Sequence, residues 1–92
     1  MAIRFTHIRL SNGNQHEHIT HLRGLDDQGS KTYGDSRASW VSWIEGGGSA
    51  FVQNHLGGRT AVVVVTPTSG PKFLRTVANG VYTDNLLSLP RY

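Results

Sequence analysis

The sequence contains no cysteine, and this absence excludes several kinds of protein. Disulfide-stapled domains, zinc fingers, iron–sulfur sites and thiol nucleophiles all need cysteine, so any metal site would have to use histidine and carboxylate side chains. Long apolar runs are also missing. The longest runs from Ala61 to Val65, far short of the ~18 apolar residues that cross a bilayer. The sequence therefore predicts no membrane span.

The amino terminus lacks the features of a secretory signal. Arg4, His7 and Arg9 interrupt its apolar alternation, whereas a signal peptide needs an uninterrupted hydrophobic segment. Together with the missing cysteine, this predicts a cytoplasmic protein.

The length and charge are those of a small, mildly basic domain. With 92 residues, 37% hydrophobic, 16% charged and 11 glycines, residues 1–92 fit one globular domain with many turns. Nine lysines and arginines against six acids give a net charge of +3. Seven of the nine are arginines, which prefer planar partners such as phosphate and carboxylate. They are scattered, so the charge permits contact with RNA or an acidic protein surface.

The first segment is typical of a β-hairpin. Residues 2–10 alternate in period two, and Asn12-Gly13 is a strong signal for a two-residue turn. A turn at those residues would place His7 opposite His18. In that register apolar side chains fall on both faces, so we expect a twisted hairpin with both faces partly covered.

A polar loop and a single helix are predicted next. Residues 24–34 are polar and have no period, which indicates a loop. Asp35 or Ser36 can cap a helix over residues 37–45, which three glycines then end. The apolar stripe of this helix consists of residues at helical spacing: Trp40, Trp43 and Ile44.

Further strands are predicted after the helix, at residues 50–54, 60–66 and 72–77. The second is so rich in valine that we expect a central strand buried on both faces. Asn79-Gly80 is another hairpin signal, and the leucines of the tail are expected to fill the core while Asp84 and Asn85 hold a turn. The prediction is an α+β domain in the order β-β-α-β-β-β, with one short helix on a small antiparallel sheet of about five strands.

The histidines are the most unusual local feature. His16 and His18 share a face of the predicted strand, and the hairpin register adds His7, so three imidazoles can converge on a metal. Cross-strand hydrogen bonds explain the same residues, and no fourth ligand can be identified. We therefore expect no metal and no cofactor, and keep a histidine-based metal hydrolase as a minor alternative.

Catalytic motifs are missing. The three glycines follow the predicted helix, whereas a phosphate-binding loop precedes one. Serine, histidine and aspartate are present without a Gly-x-Ser-x-Gly elbow or a pair of carboxylates. The sequence thus favours a binding protein over an enzyme, with no small-molecule substrate expected.

Segments near both ends resemble a small, largely uncharacterised family of bacteria and their phages. They are His-Glu-His-Ile at 16–19, Lys-Phe-Leu-Arg-Thr at 72–76 and Asp-Asn-Leu-Leu-Ser-Leu-Pro at 84–90. With the Trp43-Ile44 helix, the pattern covers nearly the whole chain and implies no agreed activity. The chain is also similar to single-domain phage inhibitors of host defence, in particular anti-CRISPR proteins that act on type I-F surveillance complexes.

The second resemblance implies a non-enzymatic inhibitor that binds a host Cas protein–crRNA complex and blocks target DNA, with direct RNA contact as a further expectation. Polar and basic residues in loops and on strands are the expected partner contacts: Asn12, Asn14, Gln15, Arg23, Lys31, Arg59, Lys72 and Arg75. The alternative is a small binding domain that sequesters a nucleotide signal, with arginines on the phosphates and Trp or Tyr on the base. That alternative requires a concave pocket.

Overall fold

The computed structural model describes residues 2–26, 31–54 and 56–92. The elements of this part of the chain are β1 (Ala2–Leu10), a short 3-10 helix (His16–His18), β2 (Ile19–Asp26), β3 (Thr32–Ser36), α1 (Arg37–Glu45), β4 (Ser49–Gln53), β5 (Arg59–Val65), β6 (Phe73–Ala78) and β7 (Val81–Thr83). Within these ranges, no helix has the length and apolar character needed to cross a membrane.

The described strands form one sheet in the order β3-β2-β1-β4-β5-β6-β7. Neighbouring strands are antiparallel except β1 and β4, which are parallel because the chain between them passes through β2, β3 and α1. The α+β class with one helix packed on a sheet is confirmed. The predicted five-stranded antiparallel sheet is wrong, because the sheet is mixed and its seven described strands follow the order β-β-β-α-β-β-β-β.

The polar segment expected to be a loop contains the end of β2 and the start of β3. β2 continues to Asp26, and β3 begins at Thr32 and pairs antiparallel with β2. β3 is an edge strand whose residues are mostly exposed, so it needs no apolar alternation and leaves no periodic signal. Backbone hydrogen bonds to β2 hold it in the sheet, and the loop prediction for residues 24–34 is therefore wrong at both ends. Residues 27–30 lie outside the described part of the chain.

The register predicted for the first hairpin is also wrong. Leu10 pairs with Ile19, and His7 pairs with Arg23 rather than with His18. The two strands are joined by residues 11–18, in which the Gln15 N–H donates to His18 Nδ1 over 3.1 Å. This local bond supports the 3-10 helix where the sequence suggested the start of a strand.

Two β-bulges bring the apolar residues of β1 and β2 onto one face. One lies between Phe5 and Ile8, and the other lies between Ile19 and Leu22. Each inserts one extra residue, so side chains three positions apart point in the same direction. The buried residues of both strands thus join one core, and the expected hairpin with two partly covered faces is not found.

The helix prediction over residues 37–45 is confirmed. Ser36 Oγ accepts the Ser39 N–H over 3.3 Å, which satisfies one free donor of the first turn. Trp40 packs edge-on against Phe5, with ring centres 5.0 Å apart, and its indole N–H donates to the Leu22 carbonyl oxygen over 3.0 Å. These contacts fix α1 on the sheet.

The carboxyl-terminal half follows its local signals closely. β4, β5 and β6 begin and end within one residue of their predicted bounds, and Asn79-Gly80 forms the turn between β6 and β7. Both turn residues have positive φ, 53° and 78°, as a two-residue hairpin turn requires. Leu86 is fully buried, so the prediction that the tail fills the core is confirmed.

Only one face of β5 is buried. Thr60 and Val62 are buried, whereas Ala61 is exposed and Val63 is half-buried. The prediction of a strand buried on both faces is therefore wrong. The valine run reflects the strand's central place in the sheet, and not a second covering layer.

A glycine pair on neighbouring strands tests this packing. A Cβ at Gly24 would lie 2.7 Å from Ile3 Cγ2 and 2.8 Å from the Arg4 carbonyl oxygen, whereas a Cβ at Gly34 would meet nothing within 4 Å. Gly24→Ala should lower the free energy of unfolding by about 1–3 kcal/mol through overpacking. The control Gly34→Ala should stay within about 0.5 kcal/mol of the wild type in urea denaturation. Equal stabilities of the two variants would contradict the observed packing.

Candidate binding face

The sheet has a second face, opposite α1, which we call the open face. Side chains alternate along a strand, so the residues between core positions project from this face. Five of the seven arginines do so: Arg4, Arg9, Arg23, Arg59 and Arg75. The aromatic side chains of Phe51, Tyr82 and Tyr92 lie on the same face. These eight residues define the open face.

One end of the open face is built around Tyr92. The Arg23 guanidinium carbon lies 4.1 Å and that of Arg9 lies 4.7 Å from the centre of the Tyr92 ring. Backbone hydrogen bonds hold the tyrosine beside β1, because the Tyr92 N–H donates to the Ile8 carbonyl oxygen over 3.2 Å. Arg9 Nε also donates to the Tyr92 carbonyl oxygen over 3.0 Å. Two positive charges are thus held at one aromatic ring.

The other end repeats the pairing of arginine with an aromatic ring. The Arg59 guanidinium carbon lies 4.3 Å from the centre of the Phe51 ring, and that of Arg75 lies 5.2 Å from the centre of the Tyr82 ring. Phe51 is only 8% exposed beneath its arginine, while Tyr82 is 52% exposed. Such contacts contribute about 0.5–1 kcal/mol each at exposed sites, enough to orient the guanidinium groups without neutralising them.

The charge of the open face is one-sided. No Asp or Glu among the described strand residues projects from it by register, and Asp84, just after β7, contacts Arg75 over 3.2 Å at its border. Guanidinium groups bind phosphate in a planar, paired geometry, and a ring as exposed as that of Tyr82 can stack on a base, whereas Phe51 is buried beneath Arg59. The arrangement is therefore suited to a ligand that carries both phosphates and flat rings.

The structure places three of the predicted contact residues on the open face. Arg23, Arg59 and Arg75 share the open face, while Lys72 lies on the helix side, where its Nζ forms a 2.6 Å ion pair with Glu45 of α1. Lys31 precedes β3 and lies 5.4 Å from the Tyr33 ring centre. The remaining predicted contacts are exposed in the loop after β1: Asn12, Asn14 and Gln15.

Sequence reasoning missed part of the open face. Arg4 and Arg9 are five positions apart, so strict alternation places them on opposite faces of β1, and only the bulge after Phe5 brings both onto the open face. Tyr92 had no local signal, because its position depends on pairing with β1, far away in the sequence.

The three histidines considered as metal ligands do not converge. His16 is buried, His18 Nδ1 accepts a loop N–H, and His7 Nδ1 lies 3.0 Å from Thr6 Oγ1 on β1. Across residues 2–26, 31–54 and 56–92, no group of three or more His, Asp or Glu side chains is arranged to hold a metal ion.

His16 occupies an unusual environment. Its Nε2 is buried without a hydrogen-bond partner in the described part of the chain, and it lies 3.9 Å from Asp84 Oδ1. Burial lowers the pKa of His16 below its ordinary value of 6.5, and the nearby Arg75 lowers the pKa further, against smaller opposite effects of Asp84 and Glu17. The neutral imidazole is therefore the form that fits the fold.

This lowered pKa predicts a pH-dependent stability. The contribution of neutral His16 is fully present above pH 6.5 and is lost as the pH falls through the lowered pKa, because protonation then favours the unfolded chain. The free energy of unfolding of the wild type should fall over this range. His16→Gln should flatten the pH dependence, while the exposed control His21→Gln should retain it. The measurement is urea denaturation at several pH values; an unchanged pH dependence in His16→Gln would refute the assignment.

Comparison with known proteins gives a family and no activity. A family model described as "Protein of unknown function (DUF3892)" matches residues 4–90, a range that includes every strand and the helix described above except the first residues of β1. Neither a curated protein nor a solved structure matches the chain significantly. The expectation of an uncharacterised family is confirmed, and the chain belongs to the DUF3892 family of proteins of unknown function.

Proposed function

We propose that this chain is a non-enzymatic binding protein whose open face contacts the RNA of a ribonucleoprotein. One observation carries the proposal: four arginines of one sheet face lie over aromatic rings. These pairs are Arg9 and Arg23 with Tyr92, Arg59 with Phe51, and Arg75 with Tyr82.

The geometry favours single-stranded RNA over a duplex. Aromatic side chains can stack only on bases that are splayed out of a helix. A positively charged protein surface then contacts the phosphates along the single strand. The arginines are distributed over β1, β2, β5 and β6, so they extend across the sheet instead of forming one pocket. This distribution fits an extended ligand with repeated phosphates.

The same distribution weighs against a domain that sequesters a single nucleotide. Such a domain needs its arginines and its stacking ring in one pocket. The aromatic cavity on the helix side is lined by Tyr33, Trp40 and Trp43, with no arginine among its lining residues. The arginines lie on the opposite face of the sheet.

The biological setting that we propose is inhibition of host defence in the host cytoplasm. The resemblance of the terminal segments to phage proteins supports this setting, with the Cas protein–crRNA complex of a type I CRISPR system as the partner. In that role the chain would bind the preassembled complex stoichiometrically and block target DNA. A surface of positioned arginines suits recognition of an exposed crRNA or acidic protein surface.

RNA binding provides the direct test of the open face. Fluorescence anisotropy with a short labelled single strand should show saturable binding that weakens with salt. Tyr82→Ala should cost about 1–3 kcal/mol through lost stacking. Arg59→Gln should reduce the slope of log K against log salt by about 0.7, as expected for one lost phosphate contact.

Lys72→Gln is the matched control, because it removes the same charge from the helix side of the sheet. It should leave both the affinity and the salt slope nearly unchanged. Equal losses for Lys72→Gln and Arg59→Gln would show attraction to net charge without use of the open face. Absence of saturable binding at low salt would overturn the RNA proposal.

The proposed partner requires a separate measurement. Purified protein titrated against a type I-F surveillance complex should abolish target-DNA capture at about one chain per binding site, with its RNA recovered intact. The double variant Arg9→Gln/Arg23→Gln should inhibit less, because both charges held at Tyr92 are removed. Undiminished DNA capture at full excess would exclude this partner, and inhibition by trace amounts with turnover would exclude a stoichiometric binder.

A further inference from the structure

A cavity of about 250 Å³ opens on the helix side of the sheet, where β3 meets α1, and we call it the β3–α1 cavity. Its walls carry three aromatic rings and two polar side chains: Tyr33, Trp40, Trp43, Asp35 and Ser39. The concentration of aromatic rings around one carboxylate sets this cavity apart from the arginine-rich open face.

The aromatic walls are held in place before any ligand arrives. The indoles of Trp40 and Trp43 stand edge to face at 79°, with their centres 5.5 Å apart, so they form two sides of a corner. Trp40 is fixed by its hydrogen bond to Leu22 and its contact with Phe5. Trp43 packs closely over Gly48, where a Cβ would lie 2.4 Å from the indole ring. A glycine at this position therefore allows the second wall.

The electrostatics of the cavity favour a cation. The faces of indole and phenol rings carry negative charge density, and Asp35 adds a carboxylate whose Oδ1 accepts the Ser36 N–H over 2.8 Å. No lysine or arginine is among the lining residues. Lys31, outside that lining, places its Nζ 5.4 Å from the Tyr33 ring centre, within the distance of a cation–π contact.

We propose that the β3–α1 cavity binds an alkylated ammonium group, such as the trimethylammonium of choline or of a trimethylated lysine. A phosphate or carboxylate would meet the Asp35 charge, and a primary ammonium would lose strong hydration on entering among the rings. Alkylation spreads the charge over apolar surface that the rings can contact. The volume is below the roughly 300–1,000 Å³ of sites for drug-sized ligands, so it suits a single head group.

The chain's own fluorescence reports on this site, because both of its tryptophans line the cavity. Choline should shift the emission saturably, and its uncharged isostere 3,3-dimethylbutanol should bind at least about fivefold more weakly, since it fills the same space without the cation–π attraction. A trimethyl-lysine peptide and its unmethylated form distinguish a protein side chain from a small molecule as the source of the group. Tighter binding of the methylated peptide than of choline would identify the side chain.

Charge-removing variants complete the test. Asp35→Asn should weaken choline binding about fivefold or more, since the remaining rings still contact the cation but the carboxylate charge is gone. Glu45→Gln, at the end of α1 and outside the cavity lining, should bind as the wild type does. The proposal is overturned if choline gives no saturable shift, if the uncharged isostere binds equally well, or if Asp35→Asn matches Glu45→Gln.

The open face and the cavity are tested independently. Arg9→Gln/Arg23→Gln should change RNA binding and leave the choline titration unchanged, because these arginines lie on the other side of the sheet. If the wild type bound no RNA, the proposed function would be refuted, whereas the inference about the cavity would be unaffected.

Discussion

The contact of Trp40 with the sheet is the interaction on which the rest of the structure depends. Its ring packs against Phe5 of β1, and its indole N–H donates to the backbone of β2 at Leu22. The buried N–H is thereby satisfied while a large apolar side chain leaves water. Because α1 starts directly after β3 and ends shortly before β4, this contact also determines where both strands can join the sheet.

Docking of the helix on one side leaves the other side of a wide sheet without a covering helix in the described part of the chain. On this uncovered side, arginine side chains lie over aromatic rings. Their aliphatic stems and planar heads cover apolar surface, while the charge stays accessible to solvent. The same packing that protects the rings thus presents a positively charged surface.

The two sides of the sheet consequently have opposite recognition chemistry. The open face presents guanidinium groups, while the β3–α1 cavity presents ring faces and the Asp35 carboxylate. A net charge of +3 conceals this separation, because it averages a basic face with an acidic, aromatic cavity. The two proposals accordingly assign an anionic ligand and a cationic ligand to opposite sides of a single small sheet.

Local signals in the sequence determined the elements whose residues interact with near neighbours. The helix after Ser36, its end at the glycines, the Asn79-Gly80 turn and the later strands all follow from capping, turn geometry and periodicity. The arginine content and the net charge of +3 were also evident from composition. These properties require no knowledge of distant contacts.

Only the tertiary structure decided the strand register, the bulges, the parallel β1–β4 pair and the membership of the open face. The register that a two-residue turn at Asn12-Gly13 would give is not adopted. The observed register buries Ile19 and Leu22 beside Phe5, and the free energy of burying these side chains outweighs the preference of one short turn. β3 depends on hydrogen bonds to β2, and Tyr92 reaches the arginines only by pairing with β1. Each of these features depends on contacts between residues that are far apart in the sequence. The free energy of such contacts cannot be inferred from a local sequence pattern.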